Sequence, residues 1–205
     1  MLSLSSPRFA RLIASPLPVL LFLLTLAVLA FMNLVDAPLT VVRFQSLTGG
    51  NTLLDLMPLY SPAEASALLD RYGEEGRAYH VRILLGIDLA LPAFYGLSSS
   101  LLMFKLLKAP AGEAHRLKLL ALLPAAAALA DYAENGILLT ILGLYPRLSN
   151  SMLLAASSLT LFKTTLLTVS LLLVAALSLI RLYRRLVPRA PKKPEPSRIE
   201  RSSKG

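Results

Sequence analysis

Leu129-Ala130-Asp131-Tyr132-Ala133-Glu134-Asn135-Gly136 sets two carboxylates and an amide into an otherwise apolar run from Leu119 to Leu144. A run of that length crosses a bilayer, whose hydrocarbon core of ~30 Å takes about 20 helical residues. A charge near the centre of such a helix costs roughly 2.5–3.5 kcal/mol on insertion scales. Positions i, i+3 and i+4 share one helical face, so Asp131, Glu134 and Asn135 point the same way. That face has to meet protein or trapped water, never lipid.

Composition sets the class. The 205 residues are 55% hydrophobic, with a mean hydropathy of +0.63, the balance of an integral membrane protein rather than a soluble domain. A net charge of +9 would suit nucleic acid. The basic residues gather at the edges of apolar runs instead, and no nucleic-acid motif is present, so no such partner is expected. The chain has no cysteine, which excludes disulfides, thiol catalysis and cysteine metal sites. HExxH, GxSxG and Walker-type glycine loops are also missing. Neither a cofactor nor a metal is expected.

Four apolar runs follow in order: 17–35, 81–107, 119–144 and 152–183. The first competes with a secretory signal peptide, because Arg8 and Arg11 precede it. Its length exceeds the usual 7–15 apolar residues and no small-x-small cleavage site ends it, so a retained helix is expected. Residues 36–80 form the one sizeable polar segment. Within it Thr48-Gly49-Gly50-Asn51 signals a turn, and Ser61-Pro62-Ala63-Glu64 reads as a capping box with proline at the first helical position. The short amphipathic helix it opens should run to Tyr72, stop at Gly73, and bury Ala63, Ala67, Leu68 and Tyr72. Glu74 and Glu75 suit the N-terminus of the next helix. That helix would carry the outer-interface residues Arg77, His80 and Arg82 and continue unbroken into the second crossing. His80 and His115 read as solvated interfacial residues.

On the second crossing Asp88, Pro92, Tyr95 and Ser99 form one polar stripe, which Arg77 and Leu84 would extend outward. Pro92 should bend the helix and free a carbonyl that a neighbour or water must satisfy. Pro124 lies one to two turns before the acidic triplet, and Ala125 to Ala128 allow a close helix approach. Lys163 sits among Thr160, Thr164 and Thr168 on the fourth crossing. Counting Lys and Arg orients the chain. Fifteen of the 21 fall in the N-terminus, the 105–118 loop and the tail. Both ends are therefore expected in the cytoplasm, with 36–80 outside the inner membrane. Residues 1–187 make a single four-helix domain, and the basic tail 188–205 should be disordered.

A rise of ~1.5 Å per residue allows depths to be compared. On that scale Asp88 lies ~10 Å, Glu134 ~15 Å, Lys163 ~16 Å and Asp131 ~20 Å from the outer boundary. Helices three and four are joined by the tight turn at Tyr145-Pro146 and should be neighbours. A Lys163 pair with Glu134 or Asp131 follows, with Asp88 above it. Three acids against one lysine leave excess negative charge, and a surplus carboxylate either keeps its proton or holds a cation. The alternative is that these groups only glue helices together, worth ~0.6 kcal/mol per contact.

Tyr60-Ser61-Pro62, Gly73-Glu74-Glu75-Gly76-Arg77, Asp88, Pro92, Tyr95-Gly96, Asp131-Tyr132-Ala133-Glu134-Asn135 and Tyr145-Pro146 together resemble a family of small four-helix bacterial membrane proteins. The likeness covers roughly residues 45–165. It implies an all-α, four-transmembrane-helix bundle and marks Gly-x-x-Gly-Arg and Asp-x-x-Glu-Asn as family features. It supplies no substrate, cofactor or mechanism.

Three functions fit these residues. The first is a binding or assembly module with a buried polar site (Asp88, Tyr95, Asp131, Glu134, Asn135 and Lys163), in contact with membrane lipids, a second copy or another membrane protein. The alternative is a small proton- or cation-handling transport protein, which with four helices would act as an oligomer. An intramembrane carboxylate enzyme is less favoured, because no histidine is placed to assist and Lys163 would repel a metal.

Overall fold

A computed structural model describes residues 6–107 and 119–187. Most of the expected basic loop, with His115, and the whole tail from 188 lie outside the described residues. The fold is all-α: α1 (Pro7–Ala14), α2 (Leu17–Leu34), α3 (Val41–Leu47), a 3-10 turn (Leu54–Leu56), α4 (Pro62–Leu85), α5 (Ile87–Leu106), α6 (Leu123–Leu144) and α7 (Asn150–Leu186). No strand occurs among the described residues. Helices α2, α5, α6 and α7 are long and apolar enough to cross a membrane. They form the bundle, with α6 packed on α7, α5 on α6, and α2 along α5. Leu20, Leu23 and Leu24 on α2 and Leu172 and Leu179 on α7 point outward and are exposed.

Residues 41–85 cap one end of this bundle. Phe44, Leu53, Leu54, Leu69 and Ile83 from the cap pack with Leu138 and Ile141 of α6 and Leu153 of α7 in one apolar cluster. The start of α4 is as expected. Ser61 and Glu64 exchange the two hydrogen bonds of a capping box, and Pro62 follows. The chain bends at Gly73 (φ 64°, ψ −177°), a region that only glycine enters readily. The buried side of this first half is Ala65, Leu68, Leu69 and Tyr72. Leu68 and Tyr72 are buried as expected, whereas Ala63 and Ala67 are exposed; the buried face is turned toward Ala65 and Leu69, which join the cluster with α6 and α7.

The second long apolar helix is shorter than the expected 81–107. Helix α4 ends at Leu85, Gly86 breaks the path, and α5 starts at Ile87. Arg77 and Leu84 are thereby cut off from the stripe they were expected to extend, and Asp88 lies in the first turn of α5 rather than ~10 Å down a helix. Arg77 stacks on Tyr145, 3.8 Å from the ring centroid, and donates to the Leu69 carbonyl at 2.9 Å. Arg82 is exposed, with its guanidinium 5.8 Å from the centroid of the Tyr79 ring. Pro124 sits in the first turn of α6, where a missing N–H costs nothing, so it starts that helix instead of bending it.

Two further contacts set the bundle geometry. Lys105, near the end of α5, donates to the carbonyls of Ile13, Ala14 and Ser15 at 3.0, 3.0 and 2.5 Å. A cation is thus placed where the dipole of α1 favours one. Gly96 lets α5 meet α6 closely. A Cβ there would stand 2.8 Å from the Ala128 Cβ and 3.3 Å from the Pro124 carbonyl oxygen. Gly96→Ala should therefore cost about 1–3 kcal/mol through overpacking, seen as a lower melting temperature in detergent. Adding Ala128→Gly should return part of the loss, and no return would mean that the two helices part elsewhere.

Candidate functional site

The buried charges are held by α6 and α7. Asp131 and Glu134, one helical turn apart on α6, both reach the Lys163 ammonium of α7. Lys163 Nζ lies 2.8 Å from Asp131 Oδ1 and 2.5 Å from Glu134 Oε2. The expected pair with either acid is a cluster with both. Side-chain exposure is 12% for Lys163, 15% for Asp131 and 0% for Glu134. Hydroxyls complete it. Tyr95 of α5 donates to Asp131 Oδ2 at 2.9 Å, and Thr160 of α7 donates to Glu134 Oε1.

Asn135 serves a different partner. Pro92 has no N–H, which frees the carbonyl four residues earlier, that of Asp88. Asn135 Nδ2 donates to that oxygen at 3.4 Å, and Tyr132 Oη donates to the next one, of Leu89, at 2.8 Å. The proline gap in α5 is thus closed by Asn135 of α6, and Tyr132 adds a second tie between the two helices beside it. The Asp88 carboxylate makes no hydrogen bond or ion pair among the described residues.

His80 is not solvated. It is fully buried, and its Nε2 lies 3.1 Å from Asp55 Oδ1. A carboxylate only accepts, so the proton sits on Nε2, and Nδ1 has no partner. Phe44 and Tyr72 pack edge-on against the ring. Burial pushes the Asp55 carboxyl up, but the His80 hydrogen bond and nearby positive charge outweigh it and leave Asp55 below its ordinary value. Sequence reasoning missed Asp55, although an acid inside Leu53-Leu54-Asp55-Leu56-Met57 is itself a sign of burial. It missed Thr160 as a carboxylate partner for a plainer reason: threonines are common in apolar helices.

A cavity of about 320 Å³ joins these groups. Asp55, Asp88, Tyr95, Asp131 and Lys163 line it together with Thr164, and so do Phe22, Leu26, Leu29 and Met32 of α2. The structure therefore brings Asp88, Tyr95, Asp131 and Lys163 to one space and leaves Glu134 and Asn135 behind its wall. Arg77, His80 and Arg82 do not line it. Among the described residues no three acids or histidines converge as a metal site.

Compared with protein-family models, curated proteins and solved structures, the chain matches none.

The cluster should behave as a unit. Lys163→Met leaves two acids facing each other in the core and should cost about 3–5 kcal/mol, read as melting in detergent. Adding Asp131→Asn and Glu134→Gln should recover most of it; a triple variant as unstable as the single one would separate the three groups. Asp55→Asn should lower the melting point across about pH 5–8. Because the folded Asp55 sits below its ordinary 3.8, its contribution is whole above that pH and lost below it. The gap between wild type and Asp55→Asn should narrow on acidification past that point.

Proposed function

We propose that the chain is a polytopic protein of the inner membrane and that its bundle acts as a membrane-embedded binding module. Both ends would lie in the cytoplasm and the 41–85 cap outside. The outward leucines of α2 and α7 suit contact with lipid chains, and the distribution of Lys and Arg favours this orientation. The resemblance to small four-helix bacterial membrane proteins points the same way and names no ligand.

One observation carries the binding reading: the charged cluster opens on a cavity of about 320 Å³ instead of being packed shut. Charges kept only as glue are best enclosed, since hydrogen bonds from every side offset their burial. A space of this size, apolar on one side with a few polar groups on the other, has the make-up of a small-molecule site.

The absence of native cysteine makes the test direct. Thr164→Cys, on the cavity wall, should be modified by neutral methyl methanethiosulfonate, as read by intact mass. Ser157→Cys, which replaces a buried hydroxyl bonded to the Tyr60 amide, should stay unmodified. An inert Thr164→Cys would mean a closed cavity and would sink the binding reading.

The proton- or cation-handling alternative draws on the same wall, where three carboxylates face one lysine. It requires flux. Proteoliposomes should then carry a proton or monovalent-cation current that Asp88→Asn removes without lowering the melting temperature. If wild-type vesicles show no current, the cavity binds but does not conduct.

A further inference from the structure

The walls of the cavity differ from end to end. Asp55, Asp88, Asp131 and Lys163 lie toward the capped end. Phe22, Leu26, Leu167 and Leu171 lie further along α2 and α7, with only the hydroxyls of Thr25, Ser99 and Thr168 among them. Charge is therefore confined to one end of an elongated, otherwise apolar space.

The charged end has a sign. Lys163 is already spent on Asp131 and Glu134, and Asp131 uses its second oxygen on Tyr95. Two acceptors remain. The Asp88 carboxylate has no partner among the described residues. Asp55 is 8% exposed and gives Oδ1 to His80, while its Oδ2 accepts from no other residue among the described ones. An unpartnered carboxylate in such a place is costly unless something positive meets it.

The space also has a side door. Helix α2 packs along α5, and the gap between α2 and α7 is the cavity itself. Its rim is formed by exposed residues on both helices: Leu26 and Asn33 on α2, Thr168 and Leu171 on α7. On the reading above, this opening faces the lipid chains. A ligand can then enter from the bilayer with its apolar part leading and its polar head turned to the capped end.

We propose that the α2–α7 cavity takes an amphiphilic amine, its ammonium on Asp88 and the free oxygen of Asp55, its apolar body along α2 and α7. The assignment rests on the cavity being a ligand site, as proposed above, and names the chemistry of the ligand. A bare inorganic ion would leave the leucine-lined end unused, and no three-ligand cage converges to hold one. A fatty acid would bring an anion to the same carboxylates.

The experiment is calorimetric titration of the purified chain in detergent with octylammonium chloride, octan-1-ol, sodium octanoate and ammonium chloride. Octylammonium should bind saturably, octanol more weakly by on the order of tenfold, and octanoate and ammonium not measurably. Asp88→Asn should weaken octylammonium by on the order of tenfold or more, as expected for removing one member of a buried charge pair. Should Asp88→Asn fail to fold, Leu171→Trp at the exposed rim serves instead, and it should block entry and reduce binding. Equal binding of octanol and octylammonium, tighter binding of octanoate, full competition by ammonium chloride, or unchanged octylammonium affinity in the variants would each overturn the amine assignment. No octylammonium binding by a protein whose Thr164→Cys is modified would sink the amine and leave the binding reading standing. If Thr164→Cys is inert as well, both fall.

Discussion

An ammonium held between two carboxylates one turn apart is the constraint on which the bundle rests. Lys163 can satisfy Asp131 and Glu134 together only if α6 and α7 lie side by side at one register and one rotation. Tyr95 then fixes α5 to the same acid. Three helices are located by four side chains. In a bilayer this matters more than in water, because apolar helices gain little from leaving lipid for one another and slide without such points. The leucines between these points supply contact, while the charges supply position.

Around that centre the structure repeatedly answers a backbone or polar deficit with a group from another element. The α1 carbonyls find Lys105. The Tyr60 amide finds Ser157, and the Leu39 amide finds Tyr79 at 2.7 Å. Thr25 and Ser98 share a hydrogen bond of 2.9 Å that ties α2 to α5. Each link is modest alone, near 1 kcal/mol. Together they join elements far apart in sequence, the cap included.

Legibility in the sequence followed the physics of each signal. Hydrophobic length alone located the four long apolar helices, because an uninterrupted apolar run of bilayer length leaves few alternatives to a helix. The capping box at Ser61 and the grouping of Asp131 with Glu134 were local and could be counted along one helix. The break at Gly86 was not legible, since Arg82 to Asp88 carries no proline or turn cluster. It depends on how α4 meets the bundle. The burial of His80 could not be read either: its partner Asp55 lies 25 residues away, and only the folding of the cap over α6 and α7 brings them together. Depth counting placed Lys163 near the acids because α6 and α7 are unbroken; it set Asp88 deep in a helix, where it lies in a first turn, because Gly86 breaks the path. The cavity itself was beyond sequence, because its apolar wall comes from α2, whose rotation no local pattern fixed.

The gap that Pro92 leaves in α5 ties two positions on two helices into one hereditary unit. The Asp88 carbonyl needs an outside donor while residue 92 is proline, and the donor is Asn135. A relative that regained an ordinary residue at the position of Pro92 would release that donor, and Asn135, buried beside an acceptor no longer open, would become a liability. Substitutions there should travel in company: proline with amide, or neither. An alignment of related chains would carry that mark as covariation between α5 and α6, independent of any ligand.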